Sequence, residues 1–175
     1  MSSVTIAPYS PEWPALFVEL REELLGAFAT VPVVVKHIGS TSVPGLAAKP
    51  VIDVLLGADS LADVDSKIEP LSSLGYSYVS KYERELPTRR YFVKSAPASL
   101  RVHLHAVEVR SRFWQEHLAF RNALRADPFL RAEYETLKLR LAVEHAHDKA
   151  AYTAAKGTFI RSVLAVVCSG SDHAG

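Results

Sequence analysis

Residues 37–56 read HIGSTSVPGLAAKPVIDVLL, a stretch that begins and ends like buried β-strand and has a loop of Gly, Ser, Thr and Pro with Lys49 between. Upstream, the β-branched run VPVVVKHIG predicts a short strand closed by Gly39; downstream, KPVIDVLLG predicts another, bounded by Pro50 and Gly57. The second run is apolar on both sides of Asp53, the pattern of a strand covered on both faces. An isolated buried carboxylate is costly, so Asp53 must be paired, hydrogen-bonded, metal-bound, or placed at the open end of the strand where ligands gather.

The loop places Gly39, Ser40, Thr41, Ser42 and Gly45 within a short span, offering close backbone approach, hydroxyls and N–H groups suited to phosphate oxygens. It is not a Walker A loop, and the same composition fits a solvated turn held by local Ser and Thr hydrogen bonds. Lys49 is either a phosphate contact or a surface residue ahead of a strand.

RVHLHAVE alternates, with Val102, Leu104 and Ala106 on one side and Arg101, His103 and His105 on the other. Imidazoles two residues apart on a strand point the same way, about 7 Å apart, which suits ligand binding, proton transfer or a metal. A polar solvent face gives the same pattern. Glu108 has the opposite parity and reads as a strand-end surface residue. ERELPTRRYFVK gathers Arg84, Arg89, Arg90 and Lys94, which can hold phosphate or simply solubilise an edge strand. Tyr152 and Lys156 share a helix face four residues apart, and His37 heads the loop; these three form a second tier.

Around this centre, PEWPALFVELREELLGAFA spaces Trp13, Phe17, Leu20, Leu24 and Phe28 as the core face of an amphipathic helix. SLADVDSKIEPLSSL predicts a helix capped by Ser60, followed by a strand from GYSYVSKY and a hairpin of RRYFVKS and SLRVHLHAVEV around APA. Three helices then follow, FWQEHLAFRNALRAD, PFLRAEYETLKLRLAVEHA and DKAAYTAAKGTFIRSVLAVVC, with Asp127 and Asp148 as N-caps. The small polar residues at 168–175 read as a frayed tail. This order is α+β, with about four or five strands.

A length of 175 residues fits one domain spanning 1–175, with no linker at which to divide it. Twenty basic against nineteen acidic residues create no global field for nucleic acid or membrane, so an anion site must be local. The single cysteine, Cys168, reads as a buried thiol in a reducing compartment. The opening residues lack a secretory signal pattern and no apolar run reaches the length of a membrane span, so cytoplasmic localisation is expected.

Together these features resemble the GrpB family, from YSPEW to KGTFIRSVL. HIGSTSVPGLAAKPVIDVLL is the most specific stretch, supported by RRYFVK, RVHLHAVE, FWQEHLAFRNALRADP and AYTAAK. The resemblance implies a nucleotidyltransferase-like mixed sheet of the DNA polymerase beta type, with an N-terminal helix and a C-terminal helical half. That signature has a Gly-Ser turn at a helix N-terminus, then a strand bearing two aspartates one residue apart, and a third carboxylate on a neighbouring strand. Gly39 and Ser40 match the turn and Asp53 matches the second aspartate. Val51 stands at the position of the first, and the strand of His103 and His105 replaces the third carboxylate. Two-metal phosphoryl transfer relies on carboxylates around two Mg²⁺ ions; one Asp with two His leaves room for one divalent ion, Mg²⁺ or the softer Mn²⁺ or Zn²⁺.

The expected function is therefore transfer of a nucleotidyl or phosphoryl group to a small acceptor. Asp53, His103 and His105 would be catalytic or metal-binding, while Gly39, Ser40, Thr41, Ser42, Lys49, Arg89 and Arg90 hold phosphate. The alternative is a non-catalytic domain binding a nucleotide or coenzyme A precursor, since similar domains occur fused to dephospho-coenzyme A kinases. A metal-dependent hydrolase using Asp53, His103 and His105 is weaker, for want of a clear third ligand. The carboxylate count separates these readings and leans against ordinary two-metal catalysis.

Overall fold

The structure is a computed structural model in which residues 4–97 and 100–169 are described. The apolar face read along the first helix becomes α1 (Glu12–Ala27), with Trp13, Leu20 and Leu24 buried. Five strands form one mixed sheet: β1 (Val33–Ile38), β2 (Val51–Ala58), β3 (Ser77–Tyr78), β4 (Arg89–Ser95) and β5 (Arg101–Glu108). Their order is β1-β2-β5-β4-β3, with β2 and β5 parallel and every other pairing antiparallel. A short 3₁₀ turn, Ser40–Ser42, follows β1.

Strand parity separates the two faces of the sheet. Ile52, Val54 and Leu56 of β2, with Val102, Leu104 and Ala106 of β5, join Leu20, Leu24 and Phe28 in the largest core cluster. The opposite face carries Asp53 and Leu55 on β2 and His103, His105 and Val107 on β5. Leu55 and Val107 there meet Phe113, Trp114 and Leu118 of α4 (Arg112–Ala126). The remaining helices are α5 (Pro128–Glu144), α6 (Lys149–Ala155) and α7 (Gly157–Ser169). They are joined to the sheet's loop, because Val43 and Leu46 cluster with Leu124 and Tyr134, while Val4 clusters with Leu141 and Tyr152.

The N-caps form as the sequence predicts. Asp127 accepts from the N–H groups of Phe129 and Leu130, Asp148 from Ala151, and Ser60 from Asp63. Several boundaries differ. The helix expected over 60–74 is two short ones, α2 (Leu61–Asp65) and α3 (Ile68–Ser73). The strand expected from GYSYVSKY pairs only at Ser77 and Tyr78 before a 3₁₀ turn at Ser80–Tyr82. The last expected helix is divided between α6 and α7 at Lys156 and Gly157, so the C-terminal half has four helices. Cys168 is exposed on α7, correcting the buried thiol: the apolar spacing of that segment turns other residues inward, with Val163 buried. Of the expected tail, Cys168 and Ser169 end α7, and residues 170–175 lie outside the described residues, as does Ala98 of the APA turn.

Candidate functional site

Asp53 is the centre of the site because sheet register places it there. It pairs with His103 across the parallel β2–β5 ladder and with Ile38 across β1. Its Oδ1 lies 3.3 Å from His105 Nε2 and 3.6 Å from His103 Nδ1, so one carboxylate faces both imidazoles. Burial alone would raise the Asp53 pKa. The hydrogen bond from His105 first, then the proximity of His105, His103 and Lys156, outweigh burial and hold the carboxyl below its ordinary range.

Arg89 sets the orientation of this pair. Its Nη1 lies 3.4 Å from His105 Nδ1, and a guanidinium can only donate. Nδ1 must therefore accept, which leaves the ring proton on Nε2, where it is donated to Asp53. The guanidinium also packs over the rings of Tyr91 and Phe113. Arg89 thus positions His105 instead of reaching into the phosphate loop. Arg90 has the opposite parity on β4 and forms a bidentate pair with Asp65 beside α2. Strand alternation thus sends the two arginines to opposite faces of the sheet, and neither lines the cavity above Asp53.

The Gly-Ser loop divides by depth. Gly39 adopts φ 71°, and a Cβ there would meet Asp53 Oδ2 at 2.5 Å, so the turn and the carboxylate touch without an intervening side chain. Ser40 lines the cavity above Asp53. Thr41 and Ser42 are buried, and their hydroxyls donate to the Val51 and Gly39 carbonyls. Because the Thr41 proton goes to Val51, His37 Nε2, 3.0 Å from Thr41 Oγ1, must be the donor to it. Burial first, then the charges of Arg125 and Arg121, lower the His37 pKa to about 4 against the opposing charge of Asp53. His37, Thr41 and Ser42 hold the loop's shape from beneath.

Above the loop is a polar cavity of about 230 Å³ whose walls include Ser40, Lys49, Asp53, His103, Lys138 and Lys156. The ammonium groups of Lys49 and Lys156 lie 5.3 and 4.5 Å from the centre of the Tyr152 ring. Burial and the neighbouring charge of Lys49 lower the Lys156 pKa to about 8, with Asp53 opposing. Lys138 is 1% exposed and donates to the Ala47 carbonyl; burial and Lys156 lower its pKa to about 7, with Glu135 opposing. Lys49 is lowered by burial and by Lys149, again against Asp53.

Sequence reasoning missed Lys138, although a signal was present: Tyr134, Lys138 and Leu141 recur at i, i+4 and i+7 on α5 and are its buried residues. His117 and Arg121 were also missed. They lie on the inner face of α4, and Arg121 donates to the His37 carbonyl across the loop.

Among the described residues, no group of three or more His, Cys, Asp or Glu side chains is arranged to hold a metal ion. The tautomer gives a physical reason: His105 directs its Nδ1 lone pair at Arg89 and presents an N–H to Asp53. The two-metal set of the fold does not fit either, because Val51 lines the cavity where the first aspartate would stand.

The family profile described as GrpB protein matches residues 3–165. The chain belongs to the GrpB family. It is 33% identical over 165 residues to the glutamate-rich protein GrpB of Alkalihalophilus pseudofirmus, covering 92% of this chain and 94% of that one. It is also 31% identical to a dephospho-CoA kinase of Mycolicibacterium paratuberculosis, covering 98% of this chain and 48% of that protein. The crystal structure of GrpB from Enterococcus faecalis superposes with a TM-score of 0.85 at 34% identity, covering 95% of this chain and 99% of that one. The Cid1 poly(U) polymerase superposes with a TM-score of 0.53 at 13% identity, covering 80% of this chain and 42% of that one, which shows a shared fold. The expected nucleotidyltransferase-like architecture is thus the observed one. No helix among the described residues is long and apolar enough to cross a membrane.

Proposed function

We propose that the cavity above Asp53 binds a small phosphate-bearing molecule of the nucleotide or coenzyme A precursor class. The observation that carries this reading is the convergence of Lys49, Lys138 and Lys156 on one polar cavity whose lining holds a single carboxylate, Asp53. Like charges confined together depress one another's protonation, and a phosphate placed among them relieves that repulsion. The dephospho-CoA kinase that contains a domain similar to this chain supports the precursor class.

The decisive measurement is calorimetric binding of inorganic pyrophosphate. Binding is expected to weaken as salt rises, and Lys49→Ala should reduce both the affinity and its salt dependence. Because the Lys138 and Lys156 values are lowered to about 7 and about 8, an anion that favours their charged forms should draw protons from the buffer. Affinity then falls between pH 7 and pH 9. Absence of pyrophosphate binding to the wild-type protein overturns the reading.

Transfer to an acceptor is the second reading, favoured by the placement of His103. Its pKa is lowered by burial, with His105, Arg101 and Lys49 adding to that and Asp53 opposing, so at neutral pH it offers a lone pair inside the cavity. An acceptor hydroxyl would attack the α-phosphorus of a nucleoside triphosphate while its proton passes to His103; the P–O bond to the β-phosphate breaks, pyrophosphate leaves with that electron pair, and the lysines face the charge gathering on the phosphoryl oxygens. Product formation from a nucleotide and an alcohol, lost in His103→Ala with pyrophosphate binding retained, would establish this step.

A further inference from the structure

The site has a second chamber. Beyond Asp53 lies a cavity of about 360 Å³ that shares Ser40, Asp53, Thr153 and Lys156 with the lysine cavity, so the two open on a common boundary. Their chemistry differs. Ile38, Phe120, Leu124, Ile160 and Leu164 supply apolar surface to the second chamber, whereas lysines dominate the first. A phosphate gains little from apolar walls, while an organic group gains from leaving water.

Within the apolar chamber, Arg121 is half-buried. Its described hydrogen bonds go to the His37 carbonyl and to Asn122 Oδ1, and no carboxylate within ion-pairing distance is described for it. A guanidinium has five N–H donors, so donor capacity remains after those three bonds. Glu116, also in this wall, is paired with Arg112.

We propose that the apolar chamber is the subsite for the organic half of a phosphate ester whose phosphate lies among the lysines, with an acceptor oxygen of that organic half meeting Arg121. The inference rests on the phosphate reading of the lysine cavity. It makes Leu164 and Ile160 determinants of ligand size and Arg121 a determinant of ligand chemistry. Asp53 and Lys156, common to both chambers, lie beside the ester linkage.

The test uses matched probes on the full chain: inorganic phosphate, phenyl phosphate and 4-acetylphenyl phosphate, the last adding a carbonyl acceptor. Phenyl phosphate is expected to bind at least about tenfold more tightly than inorganic phosphate, a modest return for burying one ring. Leu164→Trp should bring the two to parity with inorganic phosphate binding unchanged. Ile160→Phe obstructs the same chamber from the preceding turn and replaces Leu164→Trp if that variant fails to fold. The acetyl group should add a further severalfold in the wild type and nothing in Arg121→Met. If inorganic phosphate binds but phenyl phosphate binds no better, or if filling the chamber leaves its advantage intact, the subsite is disproved while the lysine reading stands. If phenyl phosphate prefers the open chamber but Lys49→Ala has no effect on it, the lysine reading fails and the phosphate-ester subsite falls with it, leaving only an apolar pocket. If no probe binds, both fall.

Discussion

A Cβ on Gly39 would lie 2.5 Å from Oδ2 of Asp53. Carboxylate and turn backbone are therefore in direct contact, and residue 39 also sits at φ 71°, which L side chains rarely adopt. Gly45 has a similar φ of 80° with nothing within 4 Å of its would-be Cβ, so it isolates the conformational penalty. Gly45→Ala should cost about 1 kcal/mol in denaturant unfolding. Gly39→Ala should cost about 2 kcal/mol or more and should also displace Asp53 from His105. Equal destabilisation of the two variants would show that the contact yields freely.

His37 makes stability sensitive to acid. Its folded pKa of about 4 lies below the ordinary 6.5, so between these values the unfolded chain binds more protons. The contribution is complete above pH 6.5 and is lost as pH falls towards 4, with a limiting slope of about 1.4 kcal/mol per pH unit for one proton. His103 and His117, both lowered chiefly by burial, act in the same direction. His37→Gln retains a donor for Thr41 without titrating, and its unfolding free energy should vary less over pH 4 to 6.5 than that of the wild type. An unchanged pH profile would remove His37 from this role.

Arg89 acts on the site through Nδ1 of His105. In the wild type, ¹⁵N chemical shifts should place the ring proton on Nε2, since Nδ1 accepts from Arg89. Arg89→Met keeps much of the packing over Tyr91 and Phe113 but removes the donor. Asp53 should then keep the proton on Nε2 while the Nδ1 resonance shifts as its lone pair loses the donor, and pyrophosphate binding changes by less than about twofold because Arg89 is absent from the cavity lining. A large loss of pyrophosphate affinity would instead make Arg89 a phosphate ligand.

What the sequence made legible follows from local rules. The alternation of RVHLHAVE places His103 and His105 on one face, and β-branched runs on either side of the Gly-Ser loop locate β1 and β2. The same alternation separates Arg89 from Arg90, a distinction available from parity but obscured by treating the basic cluster as a unit. Lys138 was hidden for another reason: a lysine on an apolar helix stripe reads as a side chain that snorkels to solvent, and only the packing of α5 against the loop carries its ammonium to the Ala47 carbonyl. The short helices α2 and α3 escaped because the interruption at Ser66 and Lys67 needs neither proline nor glycine. Arg121 depended on tertiary placement as well, since its partner His37 is 84 residues away in sequence.

Asp53 separates direct anion binding from metal-assisted binding. Its carboxylate faces the same cavity as three lysines and would repel a phosphate unless a cation stood between them. Asp53→Asn removes that negative charge and retains a hydrogen-bond acceptor for His105. It also removes the influence that favours the charged forms of Lys49 and Lys156, so part of the gain is offset at higher pH. In chelator-treated buffer at pH 7, Asp53→Asn should bind pyrophosphate severalfold more tightly than the wild type, and added Mg²⁺ or Mn²⁺ should change the two proteins' affinities alike once complexation of free pyrophosphate is subtracted. If the wild type gains affinity from the ion and Asp53→Asn does not, Asp53 holds a cation against the phosphate. If the variant binds worse without metal, the carboxylate accepts a hydrogen bond from the ligand itself, and the lysines alone do not define the site.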